Sequence, residues 1–434
     1  MRYPDQACPP KAQCLSPAWC FVWETGLLQL KEVKQLQMTC LTMCRDCRRS
    51  IGFHVRVSDP MACGLWDDRV RQGSDEKYPS TSLVPPLLVH KITWKLDQIV
   101  LEGGCSGTEM PETLKELSFG STFDNPVDKL MWPEGLTQVK FGLRFNQAVD
   151  RVVWPTGLQQ LTFDMNFNQS LEDVIWPAGL QELNFGWEFN QAVDRVLWPP
   201  GLLSLTFGYR FNQSLNQIAW PAGLRQITFG CGFNQAVDGI TWPAKLQRLT
   251  FGSCFNQSLN GMTWPLNLQQ LTFGWHFNQA VDQVMWPSDL QKLTFGWDFN
   301  QTVHNVSWPA RLQELNFGYS FNHAIDKVAW PGGLQRLNFG YSFDQAVEVT
   351  WPVGLEMLSF GDSFKQKVDG VVWPAGLKEL KFGRDFNQPG DHILWPSGLQ
   401  QLTFGKNFHL ALGRKGLLRR PMEHVEEGEE AQAR

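Results

Sequence analysis

Apolar and polar residues alternate for a few positions, break, and then alternate again at a fixed distance along most of the chain. In Leu180-Gln-Glu-Leu183-Asn-Phe185-Gly186, the apolar Leu183 and Phe185 are separated by one polar residue. That period of two predicts a short strand with one buried face. Leu180 leads into the strand, and Gly186 ends it where the backbone turns or meets a neighbour closely. The frame recurs at Leu114/Leu117/Phe119, Leu246/Leu249/Phe251, Leu334/Leu337/Phe339 and Leu399/Leu402/Phe404. Between strands, Phe189, Val193, Val196 and Trp198 place apolar residues two to four apart. In so short a limb this spacing predicts turns or a fragment of 3₁₀ helix, since a full α-helix needs more room.

The distance between frames is set by Trp-Pro pairs. They open at Trp132 and return every 22 residues through Trp330, then at Trp351, Trp373 and Trp395, with one residue deleted before Trp351. A fixed period of this length predicts a solenoid whose turns bury apolar faces only against their neighbours. Its strands stack in parallel about 4.8 Å apart. Pro199 and its equivalents mark the bend into each strand, and the Trp rings seal the core beside it. Asn146, Asn168, Asn190, Asn212, Asn234, Asn256, Asn278, Asn300 and Asn322 hold one position in nine consecutive units. Stacked and buried, such residues would bond the turn backbone and pass a hydrogen bond to the next unit. Asp344 and Lys365 interrupt the column beside the deletion, so stacking is expected to be least regular there.

Two rows are expected on the surface. Two residues past the strand Phe stand Trp187, Tyr209, Cys231, Ser253, Trp275, Trp297, Tyr319 and Tyr341. The same slot accepts Asp362, Arg384 and Lys406, which argues for exposure. Rings in an exposed row suit a binding surface, because they bury much area at little entropic cost. They also suit simple stacking that stiffens the array, and both readings stay open. The other row, on the strand itself, holds Thr162, Asn184, Thr206, Thr228, Thr250, Thr272, Thr294, Asn316 and Asn338. Cross-strand support of the sheet accounts for it, with a periodic ligand such as a glycan or ice as the alternative.

The Leu-x-x-Leu-x-Phe strand resembles a leucine-rich repeat, and the Phe-Asn-Gln segment that follows resembles the FNIP repeat, a leucine-rich-repeat relative of about this length. The resemblance covers roughly residues 111–408, in thirteen tandem matches. It implies a curved solenoid with its parallel sheet on the concave side, here placed at residues 96–412 with fourteen strands. Such proteins often carry an N-terminal F-box, which would make the chain a substrate receptor for a ubiquitin-ligase adaptor. Residues 27–51 lack the Leu-Pro opening and the later Trp of that motif, so no F-box is evident.

The remainder narrows the function without naming it. Residues 1–95 share nothing with the repeat; Leu27, Leu30, Val33, Leu36, Cys40, Met43, Cys44 and Cys47 predict one amphipathic helix. Cys40, Cys44 and Cys47 read as small buried hydrophobes rather than a metal cluster, since no second ligand pair shows zinc spacing. The spacing of Cys8, Cys14 and Cys20 fits no standard site. A linker is expected from Gln72 to Pro86, and Leu96–Gly103 fits the strand frame as a degenerate capping repeat. The tail, 413–434, is basic and then acidic, a composition that predicts disorder. A net charge of −5 gives no case for nucleic acid. No run of apolar residues approaches a membrane span, and no signal peptide is read at the start, so a cytoplasmic or nuclear location is expected.

Chemistry is absent from the pattern. Gly361-Asp-Ser-Phe occupies an ordinary repeat slot, the eight His show no metal spacing, and there is no phosphate loop. The expectation is a non-enzyme without cofactor or metal: a protein-interaction scaffold. It would contact its partner through the concave face and through Trp187, Tyr209, Trp275, Trp297, Tyr319 and Tyr341. A carbohydrate- or surface-binding solenoid is the other class in view. Fold analogy carries most of this reading.

Overall fold

The computed structural model describes residues 91–93, 114–388 and 393–408. The expected N-terminal helix, the cysteine groups before it and within it, the linker, the Leu96–Gly103 frame and the charged tail lie outside the described residues. Among the described residues, fifteen strands of three residues each form one parallel sheet in strict chain order, from β1 (Lys91–Thr93) and β2 (Glu116–Ser118) to β15 (Gln401–Thr403). The strand beside β2 is therefore β1, with Lys91 opposite Glu116. It lies within the stretch expected to precede the solenoid.

From β2 to β15 each strand buries its central residue and half-exposes or exposes the flanking two, as its period of two requires. Leu180, Leu183, Phe189 and Val193 have no exposed surface, and Trp198 retains 8%. No polar or charged residue is buried among the described residues, so the core is wholly apolar. No helix occurs among them either, and the return limb is a chain of single turns. Leu180 N–H donates to Pro177 O at 3.1 Å, Phe189 N–H to Gly186 O at 3.3 Å and Val196 N–H to Val193 O at 3.4 Å. Pro177 opens the first of these turns with its own φ fixed, and Leu180 then leads into the next strand.

Ring columns fill the core. Phe233 stacks between Phe211 and Phe255 at 6.1 Å on both sides, while Phe229 in its own turn lies 4.1 Å away. Trp242 stands edge to face against Phe229 at 72°. In the Trp-Pro pairs, the indole nitrogens from Trp132 to Trp373 are buried without a hydrogen-bond partner. Several of these rings, Trp242 and Trp286 among them, also stand edge to face against a Phe. Turns approach most closely at the glycine after each strand. A Cβ on Gly252 would lie 1.6 Å from Gly230 O, so the expected close contact is real. Asp164 is the one exception in this column, and its own carboxylate accepts the next backbone N–H, from Met165, at 2.8 Å.

The most closely stacked rings just past the strands lie nearer to one another than the rings of the return limb. Equivalent rings step 4.5 Å at Tyr319–Tyr341, just past the strands, against 6.2 Å at Phe277–Phe299 and 6.4 Å at Trp286–Trp308 on the return limb.

The Asn column forms a ladder, although its side chains are half-buried or exposed rather than buried. Asn234 Oδ1 accepts the Asn256 N–H at 2.9 Å and the Gln257 Nε2 amide at 3.0 Å. Asp344 continues the ladder instead of interrupting it, accepting from Lys365 N–H at 3.1 Å and Gln366 Nε2 at 2.9 Å. A carboxylate oxygen accepts as well as an amide oxygen does. Stacking also stays regular across the deletion: Phe339–Phe360 lie 5.7 Å apart and Phe343–Phe364 6.1 Å. The missing residue comes out of the loop between Val347 and Trp351, where no ladder bond depends on it.

Candidate binding surface

Past each strand the chain makes a two-residue turn whose first residue is the ring position and whose second bonds the turn before it. Asp298 N–H donates to Trp275 O at 2.7 Å, and Ser320 N–H to Trp297 O at 2.8 Å. Pairing therefore continues beyond the three-residue strands, and the rings stand on a laterally fixed backbone.

The six expected residues form two stacks. Trp187 and Tyr209 lie 3.8 Å apart at 8°. Trp275, Trp297, Tyr319 and Tyr341 follow one another at 5.8, 4.0 and 4.5 Å. Exposure is uneven. Trp275 is 59% exposed and Trp297 47%, whereas the other four are half-buried. The Trp275–Trp297 pair is also the loose one, tilted by 34°. Partial burial raises the Tyr319 phenol above its usual range, with Tyr341 and Asp362 adding to it.

The row is longer than the aromatic residues alone. Leu143 and Met165 occupy the same slot in the two preceding turns and are 41% and 36% exposed. Their column position marks them in the sequence; their aliphatic type hid them. At the other end the row closes in charge, with Arg384 Nη2 3.5 Å from Asp362 Oδ2. Beside it, the second turn residue carries Arg210 paired with Glu188 at 3.1 Å and His276 Nδ1 paired with Asp298 at 2.7 Å. These partners are 22 residues apart in sequence, and only stacking makes them neighbours. On the strands, Asn316 Nδ2 donates to Thr294 Oγ1 at 3.2 Å, which is the cross-strand support expected of the polar row. Glu314 sits between Lys292 Nζ at 2.7 Å and Arg336 Nε at 3.4 Å. Burial alone would raise its carboxyl, but hydrogen bonds from Lys292 and Asn316 and the two cations hold it below the usual range.

A second exposed row lies on the return limb, one residue before the Trp: Met131, Val153, Ile175 and Leu197, each 68–80% exposed. A groove of about 430 Å³ runs between Val153, Trp154, Ile175, Trp176 and Pro177. Among the described residues, no three His, Cys, Asp or Glu side chains gather as a metal site, and no helix is long and apolar enough to cross a membrane.

The FNIP repeat family matches residues 189–232, 255–298, 277–320, 299–342 and 369–407. Among solved structures, the circular leucine-rich-repeat protein CroV588 is 34% identical, covering 70% of this chain at a TM-score of 0.58. YopM from Yersinia enterocolitica is 20% identical over 69% of this chain, with a TM-score of 0.37. An internalin from Listeria monocytogenes is 13% identical over 63%, with a TM-score of 0.39, and 76% of its own length is covered. The chain spans 51% of CroV588 and 61% of YopM. No curated protein matches it.

Proposed function

This chain is built of FNIP repeats wound into a leucine-rich-repeat-like solenoid, and from that premise we propose a non-catalytic scaffold that holds a protein partner on its sheet side. The contact runs along the ring row, with Trp275 and Trp297 at its centre and Trp187, Tyr209, Tyr319 and Tyr341 alongside. One observation carries this reading: two adjacent indoles on a fixed backbone, 59% and 47% exposed. Rings that only stiffened the array would gain most by stacking closely, as Tyr319 and Tyr341 do. Trp275 and Trp297 instead leave area uncovered, which is the arrangement that a partner completes.

Affinity purification with the full chain as bait identifies the partner, and the W275A/W297A chain then measures the contact. The expected loss is at least about 2 kcal/mol, or roughly thirty-fold in Kd. Unchanged affinity overturns the assignment of the row. A ubiquitin-ligase adaptor among the captured proteins would make the chain a substrate receptor. Glycan binding abolished by the same substitutions would move it to the carbohydrate-binding class.

A further inference from the structure

The ring row is broken at Cys231 and Ser253, and the break holds a pair of thiols. Cys231 is the first turn residue of its unit and Cys254 the second residue of the next, so they are diagonal neighbours. Cys254 N–H donates to Cys231 O at 2.8 Å, which ties the two backbones together. Their Sγ atoms lie 3.8 Å apart, not bonded to each other, and both residues are half-exposed. In the unit before Cys254 the second turn residue is Gly232, where neighbouring turns carry Arg210 and His276. Gly232 therefore presents no side chain of its own at that position beside Cys254.

We propose that Cys231 and Cys254 are a redox-active dithiol whose substrate is a low-molecular-weight disulfide such as oxidised glutathione. The thiolate of one cysteine attacks a glutathione sulfur, forming a mixed disulfide and releasing one glutathione thiolate. The second cysteine then attacks its neighbour's sulfur, joining Cys231 to Cys254 and releasing the second glutathione. Two protein thiols are oxidised and one glutathione disulfide is reduced to two thiols, so the two protons end on the leaving groups. Closure asks the sulfurs to approach by roughly 1.8 Å, to the 2.03–2.05 Å of a disulfide, which side-chain rotation supplies when the backbones are already paired. The resulting bond staples two turns together at the gap between the ring stacks.

Cleavage after Lys and Arg separates Cys231, in peptide 226–245, from Cys254, in peptide 249–292. The folded full chain is treated with oxidised glutathione, its remaining thiols are alkylated, and the digest is read by mass spectrometry. The expected result is one disulfide-linked species replacing both peptides, reverted by dithiothreitol. Cys231→Ser should leave Cys254 as a stable glutathione adduct, in a chain whose circular dichroism is unchanged. Each cysteine carrying its own glutathione, both remaining alkylatable, or either one joined instead to a cysteine of residues 1–113 would overturn the proposal.

Discussion

The column from Phe123 to Phe408 and the column from Trp187 to Tyr341 run through the same turns, yet only the second is interrupted. Every unit supplies a Phe to the first, and from Phe123 to Phe386 these rings have no exposed surface. The second passes from rings to Cys231 and Ser253, back to rings, and then to Asp362 and Arg384. Each core ring touches rings above and below, so one missing Phe leaves a void that two turns share and that water does not fill favourably. A missing surface ring is replaced by solvent at small cost. Uniformity in a repeat therefore marks what every turn must contribute to the core, and irregularity marks where selection has been free to act on contacts.

Substitutions in the two columns separate these roles. Phe233→Ala removes a ring at 0% exposure from between Phe211 and Phe255, and a loss of about 3–5 kcal/mol is expected in urea unfolding. Trp242→Ala should fall in the same range; a loss below about 1 kcal/mol for either would mean that the turns collapse onto the void. Next comes the ladder. Asn234→Ala takes away the acceptor for Asn256 N–H and the Gln257 amide, costing about 1–2 kcal/mol because partial exposure lets water compensate. Asn234→Asp should cost much less, since Asp344 already does this work; equal losses would show that charge, not geometry, sets the ladder.

In the surface column, W275A/W297A should lower stability by about 1 kcal/mol at most, the worth of one exposed ring pair. A drop comparable to that of Phe233→Ala would move the row into the core and remove the support for the proposed contact. The smallest effect concerns Glu314. Its carboxyl is held below the usual range, so the stability it adds is present above the ordinary carboxylate value near 4.3 and is lost as pH falls through its lowered value. The urea midpoint of the native chain should therefore drop further from pH 7 to pH 3 than that of Glu314→Gln. Parallel curves would show that Lys292 and Arg336 contribute nothing there.

Much of this architecture is legible along the chain. The period, the strand frame, the Phe and Trp columns and the close approach at the glycines follow from residue type and spacing. The exposure of Trp275 and Trp297 followed from the charged residues that share their slot. The Asn ladder was readable as a bond passed between turns, but its half-exposed setting was not. Nor was the ease with which Asp344 takes its place, because the pattern shows a change of residue and not which atom accepts. Leu143 and Met165 fall outside a row defined by rings, since such a row excludes aliphatic members.

The sequence by itself determined that this is a solenoid, because a short period leaves each turn no partner except its neighbours and fixes which positions face inward. Only the tertiary structure decided what meets across turns. Cys231 with Cys254, His276 with Asp298, and Glu314 with both Lys292 and Arg336 are separated by 22 or 23 residues. The structure also placed Lys91–Thr93 as the strand before β2 and exposed Met131, Val153, Ile175 and Leu197 on the return limb. Lateral contacts depend on register and on where each side chain turns in the half-exposed layer. Composition constrains neither of these, since solvent is always an alternative partner there.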